Sequence, residues 1–173
     1  QYFPFAAACA LAMGGFFAYL AGSSFVYISV HGVSPAMYSL IFACNALGLM
    51  AGAQLAPRLL RRWHAASIVR GALGVYVAAA LLLVALEWSG HASVLSLSAL
   101  LFVVITAMAF VLPLGSVMAL EAFGDISGTA AALLGAMNFG AGALAALVVA
   151  ATANGTRLPM AVVIAASGLM ACL

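Results

Sequence analysis

Apolar runs of roughly twenty residues, the length needed to cross a bilayer, succeed one another along this chain with only short polar breaks. Nothing else in the sequence narrows the possible folds as much. By that measure the spans cover about residues 3–30, 35–60, 66–88, 92–120, 127–153 and 158–173, the last shorter than the others. The runs lack the period-two alternation of barrel strands, and inside lipid every backbone N–H and C=O must be satisfied within the chain. The expected fold is therefore an all-α membrane protein with six transmembrane helices. Composition excludes the soluble alternative. Residues are 68% hydrophobic and only 5% charged, against about 25% charged in a typical soluble domain. Too little polar surface exists to cover such a core.

The breaks carry their own chemistry. Gly32-Val33-Ser34-Pro35 predicts a tight turn, with Ser34 able to cap the next helix and Pro35 suited to its first position. Gly22-Ser23-Ser24 is a soft point inside the first span. Glu87-Trp88 forms the polar and aromatic pair expected at a headgroup boundary. Ser89-Gly90-His91, the charged stretch from Glu121 through Asp125 to Ile126, and Asn154-Gly155-Thr156-Arg157 supply the remaining turns. Pro113 lies inside the far end of the fourth span, where a kink is expected. A chain that starts at Gln1 and stops at Leu173 within an apolar run is expected to be a fragment.

Asn45 to Arg62 sets orientation. Gly48, Gly52 and Ala56 fall on one helical stripe, and the helix is expected to end at Pro57 and the basic run Arg58, Arg61 and Arg62. With Arg70, these make four of the five basic residues. Arg-rich loops stay cytoplasmic, so this end and both termini are expected inside, and His31, His91 and Arg157 outside. The net charge of +2 thus reports topology, and no nucleic-acid partner is implied.

Polar residues within the spans are the candidate site. Tyr19, Ser23 and Tyr27 are spaced by four, so they share a face of the first helix, with Phe16 beside them. Tyr38, Phe42 and Asn45 share a face of the second, and Asn138 lies mid-way along the fifth. A side-chain amide at membrane depth needs a partner helix or water. Two readings stay open for Tyr19, Ser23, Tyr27, Asn45 and Asn138: the lining of a shared cavity that binds organic molecules, or hydrogen bonding between helices. Gly128, Ala132, Gly135, Gly142 and Ala146 make a small-residue stripe on the fifth helix, expected to pack against a neighbour.

Several chemistries are missing. Glu87, Glu121 and Asp125 lie at predicted ends or loops, so no mid-membrane carboxylate offers a proton relay. There is no zinc-protease HExxH, and Ala165-Ala166-Ser167-Gly168 lacks the first glycine of GxSG and a histidine to activate Ser167. There is no Walker loop. An enzyme is not expected, nor a cofactor or metal. Cys9, Cys44 and Cys172 are scattered in apolar runs and read as small hydrophobes.

Longer segments carry a resemblance. VSPAMYSLIFACNALGLMAGAQLAPRLLRR, preceded by YLAGSSFVYISVHGVSP, resembles the seventh and eighth helices of the Bcr/CflA drug-resistance transporters. LPLGSVMALEAFGDISGTAAALLGAMNFGAGALAA is similar to that family's tenth and eleventh. The resemblance covers essentially the whole chain, as the C-terminal half of a twelve-helix major facilitator of the bacterial inner membrane. It implies a proton-coupled antiporter that exports small organic drugs such as bicyclomycin or chloramphenicol. It also implies a partner N-terminal six-helix half holding the main proton-coupling carboxylate. Leu114 and Gly115 depart from the family, where many relatives carry polar residues. The alternative is a stand-alone six-helix membrane scaffold with no transported substrate.

Overall fold

The computed structural model describes residues 2–121, 123, 126–153 and 155–172, excepting the side chains of Tyr2 and Phe3. The expected turn residues Asp125 and Asn154, and the expected last residue of the sixth span, Leu173, lie outside them. The described residues form helices and turns without a strand. Helix α1 (Tyr2–Ser24) runs into a π-helical segment (Phe25–Val30), followed by α2 (Pro35–Leu59), α3 (Ala65–Trp88), α4 (Val94–Leu120), α5 (Ser127–Ala151) and α6 (Leu158–Ala171). Five of these are long and apolar enough to cross a membrane, with α1 and the π-helical segment counted as one. Helix α6 has 14 residues, about 21 Å at 1.5 Å per residue, against a hydrocarbon core of roughly 30 Å.

Local chemistry sets the boundaries. The Ser34 hydroxyl accepts from the Met37 amide at 3.3 Å, and Pro35 occupies the first turn, where its missing N–H costs nothing. Helix α4 starts two residues later than its apolar run, because Ser93 and Ser96 cap each other: each hydroxyl accepts from the other's backbone N–H. Helix α2 does not stop at Pro57. It continues to Leu59, and the Leu60 amide still donates to the Ala56 carbonyl at 3.1 Å. A proline this close to the end removes one bond without blocking the last turn.

The soft point of α1 takes a definite form. After Ser24 the hydrogen bonds lengthen by one residue, with the His31 amide donating to Val26 at 3.1 Å. The wider turn carries Tyr27 into the interior, where it is fully buried.

Helix α1 lies at the centre, packed on α4, α5 and α6, while α3 packs on α4 and α6. Tyr76 of α3 is the wedge of that core. Its hydroxyl donates to the Ile164 carbonyl of α6 at 2.9 Å, and its ring occupies the space a Cβ would need at Gly15 and Gly168. Helix α2 packs on α4 through the predicted stripe. Asn45, Gly48, Gly52 and Ala56 are its buried residues, and a Cβ on Gly52 would come within 2.6 Å of Ala109 Cβ. Elsewhere α2 and α5 are largely uncovered, with Leu40, Leu47, Leu144 and Leu147 each more than 60% exposed. Such faces suit lipid or another helical body rather than water.

The small-residue stripe of α5 is only partly a packing surface. Gly142 is buried against the Phe17 ring, and a Cβ there would lie 2.7 Å from it. Gly128, Ala132 and Gly135 are not buried, and a Cβ on Gly128 or Gly135 would meet nothing within 4 Å. The buried face of α5 instead comprises Ala130, Leu134, Gly142, Ala145 and Val149. Small residues permit close approach but do not dictate it, and here larger apolar residues share the contact.

Candidate functional site

The backbones of α1 and α2 hardly approach each other, so contact between them runs through long side chains. Two hydrogen bonds cross the gap. The Asn45 amide donates to the Tyr19 hydroxyl at 2.9 Å, and the hydroxyls of Ser23 and Tyr38 lie 2.8 Å apart. One turn further on, the Tyr27 hydroxyl meets Ser98 of α4 at 3.0 Å, and Ser98 itself donates to the Val94 carbonyl at 2.7 Å. Tyr19, Ser23, Tyr27 and Asn45 are each no more than 3% exposed. Every one of them has thus found the partner that burial in lipid demands.

Aromatic rings run alongside these bonds. Phe42 stacks on Tyr19 at 6.0 Å between centroids and 11° between planes, with Tyr38 next to it at 6.2 Å. Tyr27 lies 5.7 Å from Tyr38. On the other side of Tyr19 the row continues through Phe16, then Phe17, to Phe139 of α5 at 6.0 Å. Tyr27 closes one end in the interior, while Phe42 within the row is 38% exposed and Phe139 at the other end 62% exposed. A flat organic molecule entering from this face would meet ring faces, and behind them hydroxyls and an amide.

Asn138 does not join the other four. Phe17 sits against Gly142, and Ala6 and Cys9 cluster with Ala130 and Leu134, so α1 and α5 run side by side in one direction. That pairing places Asn138 level with Met13, about 9 Å along the axis from Tyr19 at 1.5 Å per residue. Its Oδ1 is buried without a hydrogen-bond partner. Four of the five residues thus lie in a bonded cluster between α1, α2 and α4, and the Asn138 amide stands apart on α5. Crevices of about 290 Å³ beside Phe102, Thr106 and Phe110, and about 350 Å³ beside Pro4 and Arg70, lie away from all five residues.

Tyr38 and Ser98 complete the cluster, and the sequence points to them only weakly. Tyr38 stands near a helix end, where tyrosines commonly mark the interface. Ser98 looks like another member of the Ser93, Ser96 group. Spacing identifies which residues share a face, but not which helix that face meets. Among the described residues no group of His, Cys, Asp and Glu could hold a metal, and Cys9, Cys44 and Cys172 are free thiols.

Two curated proteins are similar over most of this chain. The chain is 34% identical over 123 residues to an uncharacterized MFS-type transporter, YdgK, of Bacillus subtilis (strain 168), covering 70% of this chain and 30% of that protein. It is 29% identical over 124 residues to a chloramphenicol resistance protein of Pseudomonas aeruginosa, covering 72% of this chain and 30% of that protein. The match thus spans less than a third of the length of these relatives. No protein-family model matches the chain, and no solved structure matches it significantly. Several apolar helices of spanning length, together with these similarities, describe a multi-pass membrane protein.

Proposed function

We propose that this chain is one half of a major-facilitator drug exporter of the Bcr/CflA type, seated in the bacterial inner membrane as a six-helix C-terminal bundle. The observation that carries the reading is the α1–α2 gap, held by Tyr19–Asn45 and Ser23–Tyr38 bonds and flanked by stacked rings. Hydrogen bonds between neutral groups across such a gap are individually weak, so a ligand that offers equivalent groups can replace them. Small organic drugs such as chloramphenicol or bicyclomycin present that combination of flat or compact apolar surface and several polar groups. The similarity to a chloramphenicol resistance protein supports the same substrate class. Transport would proceed by alternating access, this bundle rocking against an N-terminal six-helix half, with proton flux as the driving force. The uncovered faces of α2 and α5 supply surface for that partner.

Drug export by the intact protein tests the proposal. Expressed in a bacterium stripped of its own exporters, it should lower chloramphenicol or bicyclomycin accumulation. Tyr19→Ala and Asn45→Leu should weaken that effect when compared at equal membrane content of folded protein. Accumulation that is the same with and without the protein, for every drug tested, would reject transport and favour a six-helix scaffold. Export that survives both substitutions would reject the site and leave transport standing.

A further inference from the structure

At the opposite end of the bundle from the arginine-rich loop, a carboxylate is buried beside a single cation. Glu87, one residue from the end of α3, has a side chain only 2% exposed. Its Oε2 lies 3.7 Å from Nη1 of Arg157, which is too long for a good hydrogen bond. Its Oε1 is buried without any hydrogen-bond partner among the described residues. Arg157 is 30% exposed and sits in the turn before α6, where Nη1 also donates to the Ala92 carbonyl at 3.4 Å. A crevice of about 330 Å³, lined by Val30, Glu87, Gly90, Gly155, Thr156 and Arg157, opens at this point. Gly90 and Gly155 both have positive φ, at 71° and 78°, and a Cβ on either would meet nothing within 4 Å.

We propose that Glu87 is a reversible proton-binding site, in which a proton and the Arg157 guanidinium compete for one carboxylate. A carboxylate oxygen shielded from water without a donor is costly, and the least disruptive donor is a proton delivered by water in the crevice. Hydronium gives its proton to Oε1, water remains, and the carboxyl becomes neutral. Arg157 then loses its counter-charge and gains by turning to solvent, which frees the 155–157 turn. Other titratable groups facing the pair do not compete. His31, beyond the π-helical segment, feels Arg157, and burial followed by that cation holds its pKa below the ordinary value, so it faces Arg157 uncharged near neutral pH. The Tyr27 hydroxyl is within electrostatic reach of Glu87 but is bonded to Ser98. From the α3–α4 turn, His91 bonds the Ser89 carbonyl. This assignment stands whether or not the protein exports drugs.

Infrared difference spectroscopy on the intact protein in lipid nanodiscs, stepped from mildly alkaline to mildly acidic buffer, tests it. A protonated-carboxyl stretching band should appear, be lost in Glu87→Gln, and have its midpoint moved to higher pH in Arg157→Gln. A Glu87→Gln spectrum identical to the parent's, or an unmoved midpoint in Arg157→Gln, overturns the proposal. If Glu87→Gln does not fold, the Arg157→Gln midpoint decides alone, with Arg157→Lys expected to restore the parent value.

Discussion

The Asn45 amide donates to the Tyr19 hydroxyl at 2.9 Å across two helices whose backbones scarcely meet. Both side chains are buried, so removing either one strands the other. Asn45→Leu leaves a tyrosine hydroxyl without its partner, and Tyr19→Phe leaves a free amide. Each should destabilise the fold, and the double variant by less than the sum. Hydrogen bonds between membrane helices are worth about 0.6 kcal/mol on average and about 1.7 kcal/mol at most, so the coupling should fall in that range. A double-mutant cycle on unfolding of the intact protein measures it. Strictly additive effects would show that the bond contributes nothing.

Glycines on α2 and α5 should respond in opposite ways to a methyl group. At Gly52 the new Cβ would lie 2.6 Å from Ala109 Cβ and 3.0 Å from the Thr106 carbonyl, and backbone cannot swing aside. Gly52→Ala should therefore lower the folded yield, at about 1–3 kcal/mol for overpacking. At Gly135 nothing lies within 4 Å, so Gly135→Ala should be neutral or gain up to about 1 kcal/mol from helix propensity. Yield in mild detergent compares the two. A Gly135→Ala loss as large as that of Gly52→Ala would mean that α5 is covered there by something outside this chain.

These two glycines also mark how far the sequence could be read. Gly48, Gly52 and Ala56 recur at steps of four with a larger residue on every other face, so only one face of α2 allows close approach. Helix α5 is small-residue-rich on several faces, and the glycine pattern picked a stripe that packing uses only at Gly142. Tyr19, Ser23, Tyr27 and Asn45 were visible because hydroxyls and amides at membrane depth are costly. The partner of Tyr27 was not, since Ser98 is 71 residues away and periodicity carries no information about such distances. Asn138 fell outside the cluster for a related reason: depth along one helix says little about level on another.

Orientation follows from Arg58, Arg61, Arg62 and Arg70. In single-cysteine variants of the intact protein, an impermeant maleimide added outside cells should label position 91 and leave position 61 unlabelled. Both residues are exposed, so accessibility will not confound the comparison. The reverse pattern would place the arginine-rich loop outside and invert every span.

Acid should weaken the fold partly through His31. Burial, and then the Arg157 cation, lowers its pKa from the ordinary 6.5. Between that lowered value and 6.5 the unfolded chain binds more protons than the folded one. Stability present above this window is therefore lost as pH falls through it. His31→Gln should flatten the stability–pH profile there, as followed by denaturant midpoints. An unchanged slope would show that His31 titrates as freely in the folded state as in the unfolded one.

The π-helical segment turns chain length into a constraint of its own. In an unbroken α-helix each step of four residues drifts about 40° around the axis, so Tyr27 would sit well round from Tyr19. The wider turn after Ser24 offsets part of that drift and delivers the Tyr27 hydroxyl to Ser98. Deleting Phe25 would leave Tyr19 and Ser23 in place but swing Tyr27 back by roughly one residue's rotation, about 100°. In a comparison of related chains, a one-residue gap between Ser24 and Tyr27 would then signify a different inner face, even where every tyrosine and serine is retained.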